Sequence, residues 1–425
     1  MSAQSTTPGG TASLPTIRWA RRTVLEHARP TPQAPLASER VDIVRAVGRV
    51  LAAPVVADTD LPPFDSVMMD GFAVRAAEVA AGGWLLLQGE VAAGDAGELP
   101  LRPGHALSIM TGAPLPPGAD AVVPVEWTEA EVTAGGEREA GVRAVRFLRG
   151  VNAGQHVAPR AEDLRAGALV AAAGERLTTL SLSLLIAAGA GRVDVVRRPT
   201  VALLTTGNEL VPPGAPLRRG QIRESNGPAL ASLLADAGGD VTDLGVTRDT
   251  REALDAALRR AAEADIIVLT GGASVGAYDF TEEALLALGA RKLFGKLSVK
   301  PGKPTLFFTR GRQLCFGLPG NPVAALMTGR LLVAAAVAAR AGGSPADWSG
   351  HALPLAGDVR RVAERDQLLP MSVRDGALHF DGWHGSGDLS CMARAEGFAF
   401  VARGAGSAPA GESADWFPLP GQPAW

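Results

Sequence analysis

Lys292, Lys296, Lys300 and Lys303 are the only lysines in a chain with 41 Lys and Arg residues, and all four fall within twelve positions. Arginine supplies every other basic side chain, so the cluster points to a chemical requirement beyond generic surface charge. Lysine is a compact point charge with three rotatable donors, whereas arginine is a rigid planar fork. A phosphate or small oxyanion is the natural counter-ion. Lys296 and Lys300 lie four apart, and on one extended strand they would share a face; Lys292 reads as readily as an ordinary surface charge. Just upstream, Asp265 to Leu269 is a short apolar run suited to a buried strand. Thr270-Gly271-Gly272 breaks it, and Ser274, Gly276 and Asp279 follow before an apolar helical segment. Glycines admit close backbone approach to a ligand, and N–H groups near a helix start can cradle an anion.

Two other segments carry chemical potential. In LPPFDSVMMDGFAV (61 to 74), paired prolines stiffen a loop in which Asp65 and Asp70 flank two methionines. Such a loop suits metal binding or the orientation of a polar ligand, and a plain Asp-Gly turn explains Asp70 nearly as well. In CFGLPGNP (315 to 322), Gly320 and Asn321 precede an Ala/Leu/Val-rich helix whose free N–H groups favour an anion. Arg160, Glu162 and Asp163 are clustered before a glycine turn and read equally as a salt-bridged loop.

The elements that position these residues follow from periodicity. Apolar spacing from Val41 to Ala52 predicts a helix with Ser38 as a cap. From Phe72 to about Arg149, short apolar runs broken by Gly, Pro and Asp predict a small β module. Thr178 and Thr179 cap an apolar helix from Leu180 to Ala188, expected to pack on two sides. From Pro199 strands and helices alternate, with Asn226 as the expected cap of a helix from Pro228 to Ala237 and one strand from Leu293 to Val299. The pattern predicts an α/β multidomain chain: a central open, mostly parallel sheet with its ligand crevice at the strand ends, β-rich accessory domains and a β-rich carboxyl-terminal appendage. The loops at 205 to 209, 270 to 279 and 317 to 322 should be neighbours.

Composition narrows the function. A net charge of -3 and 5% aromatic content argue against a nucleic-acid surface. Cys315 and Cys391 are the only cysteines, which argues against a disulfide scaffold and fits a reducing compartment. The amino terminus has no basic region followed by an apolar core, so a cytoplasmic protein without a membrane anchor is expected. Walker A, GxGxxG and HExxH patterns are missing and no nucleophile elbow is expected, which leaves carboxylates, lysines and anion-binding glycine loops, a set suited to Mg²⁺-assisted oxyanion chemistry.

Together PPFDSVMMDGFAV, MTGAPLPPGADAVVPVE, RAEDLRAG, TTGNEL, GQIRESNG, TGGASVGAYDF, KLSVKPGKP and GLPGNPVAA closely resemble the molybdopterin molybdenumtransferase family, in the family order from about residue 40 onward. The resemblance implies four parts: residues 15–61 with 150–196, a β-rich domain at 62–149, an α/β molybdopterin-binding domain at 197–345 and a β-barrel-like domain at 346–425. It implies insertion of molybdate, or of tungstate, into adenylylated molybdopterin with release of AMP and with Mg²⁺ as cofactor. The rival readings are a molybdopterin adenylyltransferase and a non-catalytic pterin-binding scaffold. By motif matching, Asp65, Glu209, Asp279, Lys296 and Lys300 are the catalytic candidates. Asp163 and Asp249 join Asp65, Glu209 and Asp279 as metal candidates. Thr206, Gly207, Gly271, Gly272, Ser274, Gly276, Lys303, Pro319, Gly320 and Asn321 would bind the pterin substrate. The resemblance also implies a homodimer with a cleft shared between subunits, and transient contact with molybdopterin adenylyltransferase and molybdoenzyme chaperones. This chain departs from the family at Ser66-Val67-Met68, where Asn-Ser-Ala is usual, and at Asn208 and Glu224, where Asp is common.

Overall fold

The computed structural model describes residues 14–31, 35–134, 142–271, 275–344 and 350–419. The chain divides into two compact units, one formed by 1–39 with 196–425 and the other by 40–195.

In the first unit a six-stranded sheet has the order Asp240–Thr247, Thr200–Thr206, Ile266–Gly271, Gln313–Leu318, Leu306–Arg310, Arg291–Phe294. The first four strands run parallel; Leu306–Arg310 alone is reversed, and the edge strand Arg291–Phe294, antiparallel to it, runs with the first four, so the expected mostly parallel sheet carries two antiparallel pairings at one edge. Its four inner strands are nearly continuous apolar runs because both faces are covered, whereas the edge strand Asp240–Thr247 buries none of its residues. Val201, Leu203, Ile266 and Val268 enter one core, while Ala202, Leu204, Ile267 and Leu269 enter the other, following the period of two. The first core takes the helices Ile17–Ala28 and Asn226–Asp236; the second takes Arg251–Arg260, whose Leu254, Ala257 and Leu258 face inward.

A long helix from Pro322 to Arg340 crosses the first core. It is α-helical over Pro322–Thr328 and Ala334–Arg340, with a π-helical turn over Gly329–Val333 between them. By length and composition it could cross a membrane, but its side chains are buried inside the protein.

The carboxyl-terminal part forms a second sheet in the order Val299–Lys300, Asp366–Arg374, Gly397–Val401, Ser413–Pro418, His351–Pro354, with Ala377–His379 paired to Asp366–Arg374. Leu369, Met371, Ala399, Val401 and Trp416 fill its own core.

The other unit contains a six-stranded sheet ordered Ala121–Pro124, Gly71–Val74, His105–Ile109, Trp84–Val91, Val142–Phe147, Thr128–Ala134, the small β module that the broken apolar runs predict. Two expectations for this unit fail. The segment from Val41 onward is a strand, Ser38–Asp42, followed by a short 3-10 turn, Ile43–Arg45, capped by Asp42. Here backbone pairing overrides a helix-like apolar spacing, and Val44 and Val47 remain exposed. The helix Thr179–Ala187 begins where predicted, with a capping box between Thr178 and Ser181. Within this chain, however, it is covered on one side only: Leu185 is buried, while Leu180, Leu184 and Ile186 are exposed.

Candidate functional site

The carboxyl ends of the parallel strands come together as the sequence predicts. Thr206 pairs with Gly271 and Thr270 with Leu318, so three successive strands end side by side. Gly271 has φ +122°, and a Cβ on it would lie 1.9 Å from the Thr206 carbonyl oxygen. Only glycine fits that close approach. A Cβ at Gly207 would meet the Leu210 side chain at 2.8 Å. The Thr270 hydroxyl donates to the Pro319 carbonyl at 3.1 Å, which ties the second loop to the third.

Asn226 completes the junction in a role that sequence reading misses. It is the first residue of its helix rather than the expected cap, and Ser225 precedes it without a side-chain capping bond. Its Nδ2 donates to the Gly320 carbonyl at 2.8 Å and to the Thr270 hydroxyl at 3.3 Å. Its Oδ1 is buried with no hydrogen-bond partner. A buried amide oxygen without a donor is costly, and a ligand N–H at this junction would satisfy it. Helix capping falls instead to Glu224, which is buried and accepts from Gly227 N–H at 2.7 Å and from the Thr205 hydroxyl at 3.4 Å.

Glu209 and Asp249 interact at the first of these loops. Burial pushes the Asp249 carboxyl up; a hydrogen bond from Thr206 opposes this, the Glu209 charge pushes it further up, and the Asn208 backbone N–H opposes again. The Asn208 side chain accepts from Asp249 N–H at 3.3 Å, so the departure at Asn208 supplies a neutral acceptor beside the acid pair. Gly272 and Ser274 lie outside the described residues, as does the side chain of Asp279. The backbone of Gly276 and Asp279 lies in the helix Val275–Ala287.

The lysines do not share one strand. The edge strand stops at Phe294, and Val299–Lys300 pairs with Asp366–Arg374 in the other sheet. A reversal closed by Leu297 N–H donating to the Lys303 carbonyl at 2.8 Å separates the two directions of chain. Lys292 pairs with Glu282 at 2.6 Å, the ordinary surface role. Lys296 lies just past the carboxyl end of the edge strand, beside a cavity of about 440 Å³ also lined by Trp19 and Phe294. Lys296 and Lys300 are exposed and Lys303 is half-buried.

Asn321 makes no capping bond with its helix; its Nδ2 donates to the Ser386 hydroxyl at 2.7 Å, and Val323 N–H donates to the Ser386 carbonyl at 3.2 Å. Ser386 thus occupies part of the helix start expected to face an anion. The only signal for it in the sequence is a serine between glycines in GSGD.

In the other unit, Asp65 Oδ1 accepts from Arg160 N–H at 2.8 Å, while the Arg160 guanidinium pairs with Asp60 at 2.5 Å. The Arg160 cluster is therefore a salt-bridged loop, but through Asp60 rather than Glu162 or Asp163, both of which are exposed. Val67, one of the family departures, is buried in the strand Ser66–Val67. Asp70 is a turn residue: the backbone N–H and hydroxyl of Thr111, each at 2.7 Å, hold its carboxyl below the usual range. Among the described residues no cluster of three or more His, Cys, Asp or Glu side chains could hold a metal ion.

Comparison with known proteins agrees with this architecture. Residues 16–189 match the model of the MoeA N-terminal region (domain I and II), and 202–339 match a probable molybdopterin binding domain. A molybdopterin molybdenumtransferase of Nostoc sp. is 33% identical, the match covering 86% of this chain and 85% of the relative. Molybdopterin molybdenumtransferase 2 of Mycobacterium tuberculosis is 36% identical, covering 72% of this chain and 76% of the relative. Among solved structures, a molybdopterin biosynthesis MoeA protein of Pyrococcus horikoshii superposes with a TM-score of 0.78 at 31% identity, over 96% of this chain and 100% of that one. With both halves matched in order and the three-loop junction formed, the chain belongs to the molybdopterin molybdenumtransferase family, enzymes that insert molybdate into molybdopterin to make molybdenum cofactor.

Proposed function

We propose that the carboxyl-end loops of the parallel strands hold adenylylated molybdopterin, and that this chain cleaves the adenylate and transfers molybdenum to the dithiolene. The observation that carries this reading is the orphaned Oδ1 of Asn226, buried where three loops are bonded together. A pterin ring offers N–H donors for such an acceptor. Thr206, Gly207, Gly271, Gly272, Ser274, Gly276, Lys303, Pro319, Gly320 and Asn321 would bind the substrate.

Glu209, Asp249 and Asp279 are the proposed carboxylates for Mg²⁺. The donors fit a hard cation: they are oxygens, and the Glu209 charge raises the proton affinity of Asp249, a repulsion that a divalent ion relieves. When bound, Mg²⁺ would neutralise phosphate oxygens. The Thr206 hydroxyl orients the Asp249 carboxylate, and Lys296 and Lys300 stabilise negative charge on the phosphoanhydride and the incoming oxyanion. Water adds across the phosphoanhydride, and AMP departs with its phosphate.

The unpartnered apolar side of the helix Thr179–Ala187, where Leu180 is 87% exposed, supports a homodimer with an active cleft shared between subunits. Asp65 and Asp163 would contribute to that cleft. A monomer by light scattering would remove the homodimer reading. The four-part division with boundaries near 61, 149, 196 and 345, a cytoplasmic location and transient contact with molybdopterin adenylyltransferase and molybdoenzyme chaperones complete the proposal.

The test is to supply purified protein with adenylylated molybdopterin, Mg²⁺ and either molybdate or tungstate, then to measure AMP release and metal incorporation. The larger incorporation identifies the preferred oxyanion, and no AMP release with either one overturns the reading. Lys300→Ala is expected to lower turnover on the order of 100-fold with an unchanged melting temperature.

A further inference from the structure

At the opposite end of the same sheet, where the strands Thr200–Thr206 and Ile266–Gly271 begin, lies a cavity of about 240 Å³. Arg197, Arg312 and Arg340 line it, together with Asp265 and Pro199. Six residue steps along Thr200–Thr206 separate it from the glycine loops, roughly 20 Å at the rise of a parallel strand.

The charges in this cavity do not balance. Asp265 is committed to Arg197 at 2.9 Å and also accepts from the backbone N–H and hydroxyl of Thr200 at 2.8 and 3.0 Å. Among the described residues the Arg312 guanidinium donates only to the Pro35 carbonyl, at 3.4 Å. Arg340 is 7% exposed, and its Nη2 donates to the carbonyls of His27 and Arg312 at 3.1 and 2.8 Å. Its Nε is buried without a hydrogen-bond partner. Among the described residues neither Arg312 nor Arg340 has a carboxylate within ion-pair distance.

The carbonyl of His27, in the last turn of its helix, accounts for one edge of the Arg340 guanidinium, since helix carboxyl ends attract cations. It leaves two positive groups close together in a half-enclosed space. Burial lowers the proton affinity of Arg340, the Arg312 charge lowers it further, and Asp265 opposes both. Guanidinium groups bind tetrahedral oxyanions through paired N–H donors, and one dianion would neutralise both charges.

We propose that this cavity is a second oxyanion site, binding a tetrahedral dianion of the phosphate, sulfate or molybdate class between Arg312 and Arg340. It is separate from the proposed lysine and glycine-loop chemistry and stands whether or not that assignment holds.

The test uses the full chain carrying Lys300→Ala, which weakens oxyanion binding at the lysine loop. Calorimetric titration with phosphate, sulfate and molybdate, with chloride at matched ionic strength as the control, should show a saturable site for the dianions. Adding Arg312→Gln should weaken that site at least tenfold. Since Arg312 is exposed on a turn, the variant should fold, and an unchanged melting temperature without added anion verifies this. In the chain with Lys300 intact, Arg312→Gln should leave AMP release unchanged. Tighter binding of molybdate identifies a store of the substrate anion, and tighter binding of phosphate identifies a site for a phosphorylated metabolite; each supports the cavity. No saturable binding, equal heat from chloride, or equal binding after Arg312→Gln overturns it.

Discussion

Asp265 and Asp249 sit at opposite ends of neighbouring parts of one sheet and experience opposite electrostatics. Asp265 opens the strand Ile266–Gly271, and Asp249 follows the carboxyl end of Asp240–Thr247. Burial pushes the Asp265 carboxyl up, but hydrogen bonds from Thr200 N–H and Arg197, with the Arg197 charge, outweigh it and hold the group below the usual range. At Asp249 burial and Glu209 prevail over Thr206 and Asn208, so the carboxyl stands above the usual range. Ionised Asp265 therefore stabilises the fold, whereas ionised Asp249 costs stability. Perturbation that works against folding is the pattern that the proposed metal-binding role of Asp249 requires.

The largest test of this contrast bears on the carboxyl-end loops as a whole. Gly271→Ala forces a Cβ onto the Thr206 carbonyl and should cost at least about 3 kcal/mol in chemical denaturation, because both backbone conformation and space forbid the side chain. A smaller cost would mean that the strand ends are loose enough to separate. Asp249→Asn should lower Mg²⁺-dependent AMP release on the order of 100-fold, about 2.7 kcal/mol in barrier height. Its melting temperature at neutral pH should be no lower than that of the parent, since the substitution removes a repelled charge. A destabilised but fully active variant would reverse the assignment of Asp249.

Asp265→Asn should do the reverse, lowering stability at neutral pH by about 1–2 kcal/mol and leaving turnover unchanged. The sign follows from its depressed folded-state proton affinity. Its contribution is complete above the unfolded carboxyl range, near pH 3.9, and disappears as pH falls through the lower folded value. The acid limb of the unfolding curve should therefore be shallower in the variant. An identical limb would show that Asp265 is not the group in question.

The mostly parallel sheet and the meeting of its carboxyl-end loops are legible in the sequence because apolar runs such as Ile266 to Leu269 have one buried solution, and glycine breaks mark their ends. Asn226 was misread because a cap and a cross-loop bridge require the same residue type at the same distance from a helix. The spacing of Lys296 and Lys300 gives a shared face only if one strand holds both, and local sequence does not show which sheet a residue joins; Asp366 and Gln367, far along the chain, decide that. The exposed face of Thr179–Ala187 was likewise invisible, since an apolar helix reads alike whether its cover comes from the same chain or from another.

The helix Pro322–Arg340 begins beside Asn321 and ends at Arg340, so one rod about 27 Å long at 1.5 Å per residue runs from the strand-end loops to the arginine cavity. Its first end is held by the bond from Asn321 Nδ2 to the Ser386 hydroxyl, its last by the Arg340 bonds to the carbonyls of His27 and Arg312. The π-turn at Gly329–Val333 is the one break in its regular ladder, and a Cβ on Gly329 would lie 2.6 Å from Leu230. A side chain there would press on the helix Asn226–Asp236, so the π-turn marks where the rod packs tightly against the helix that carries Asn226.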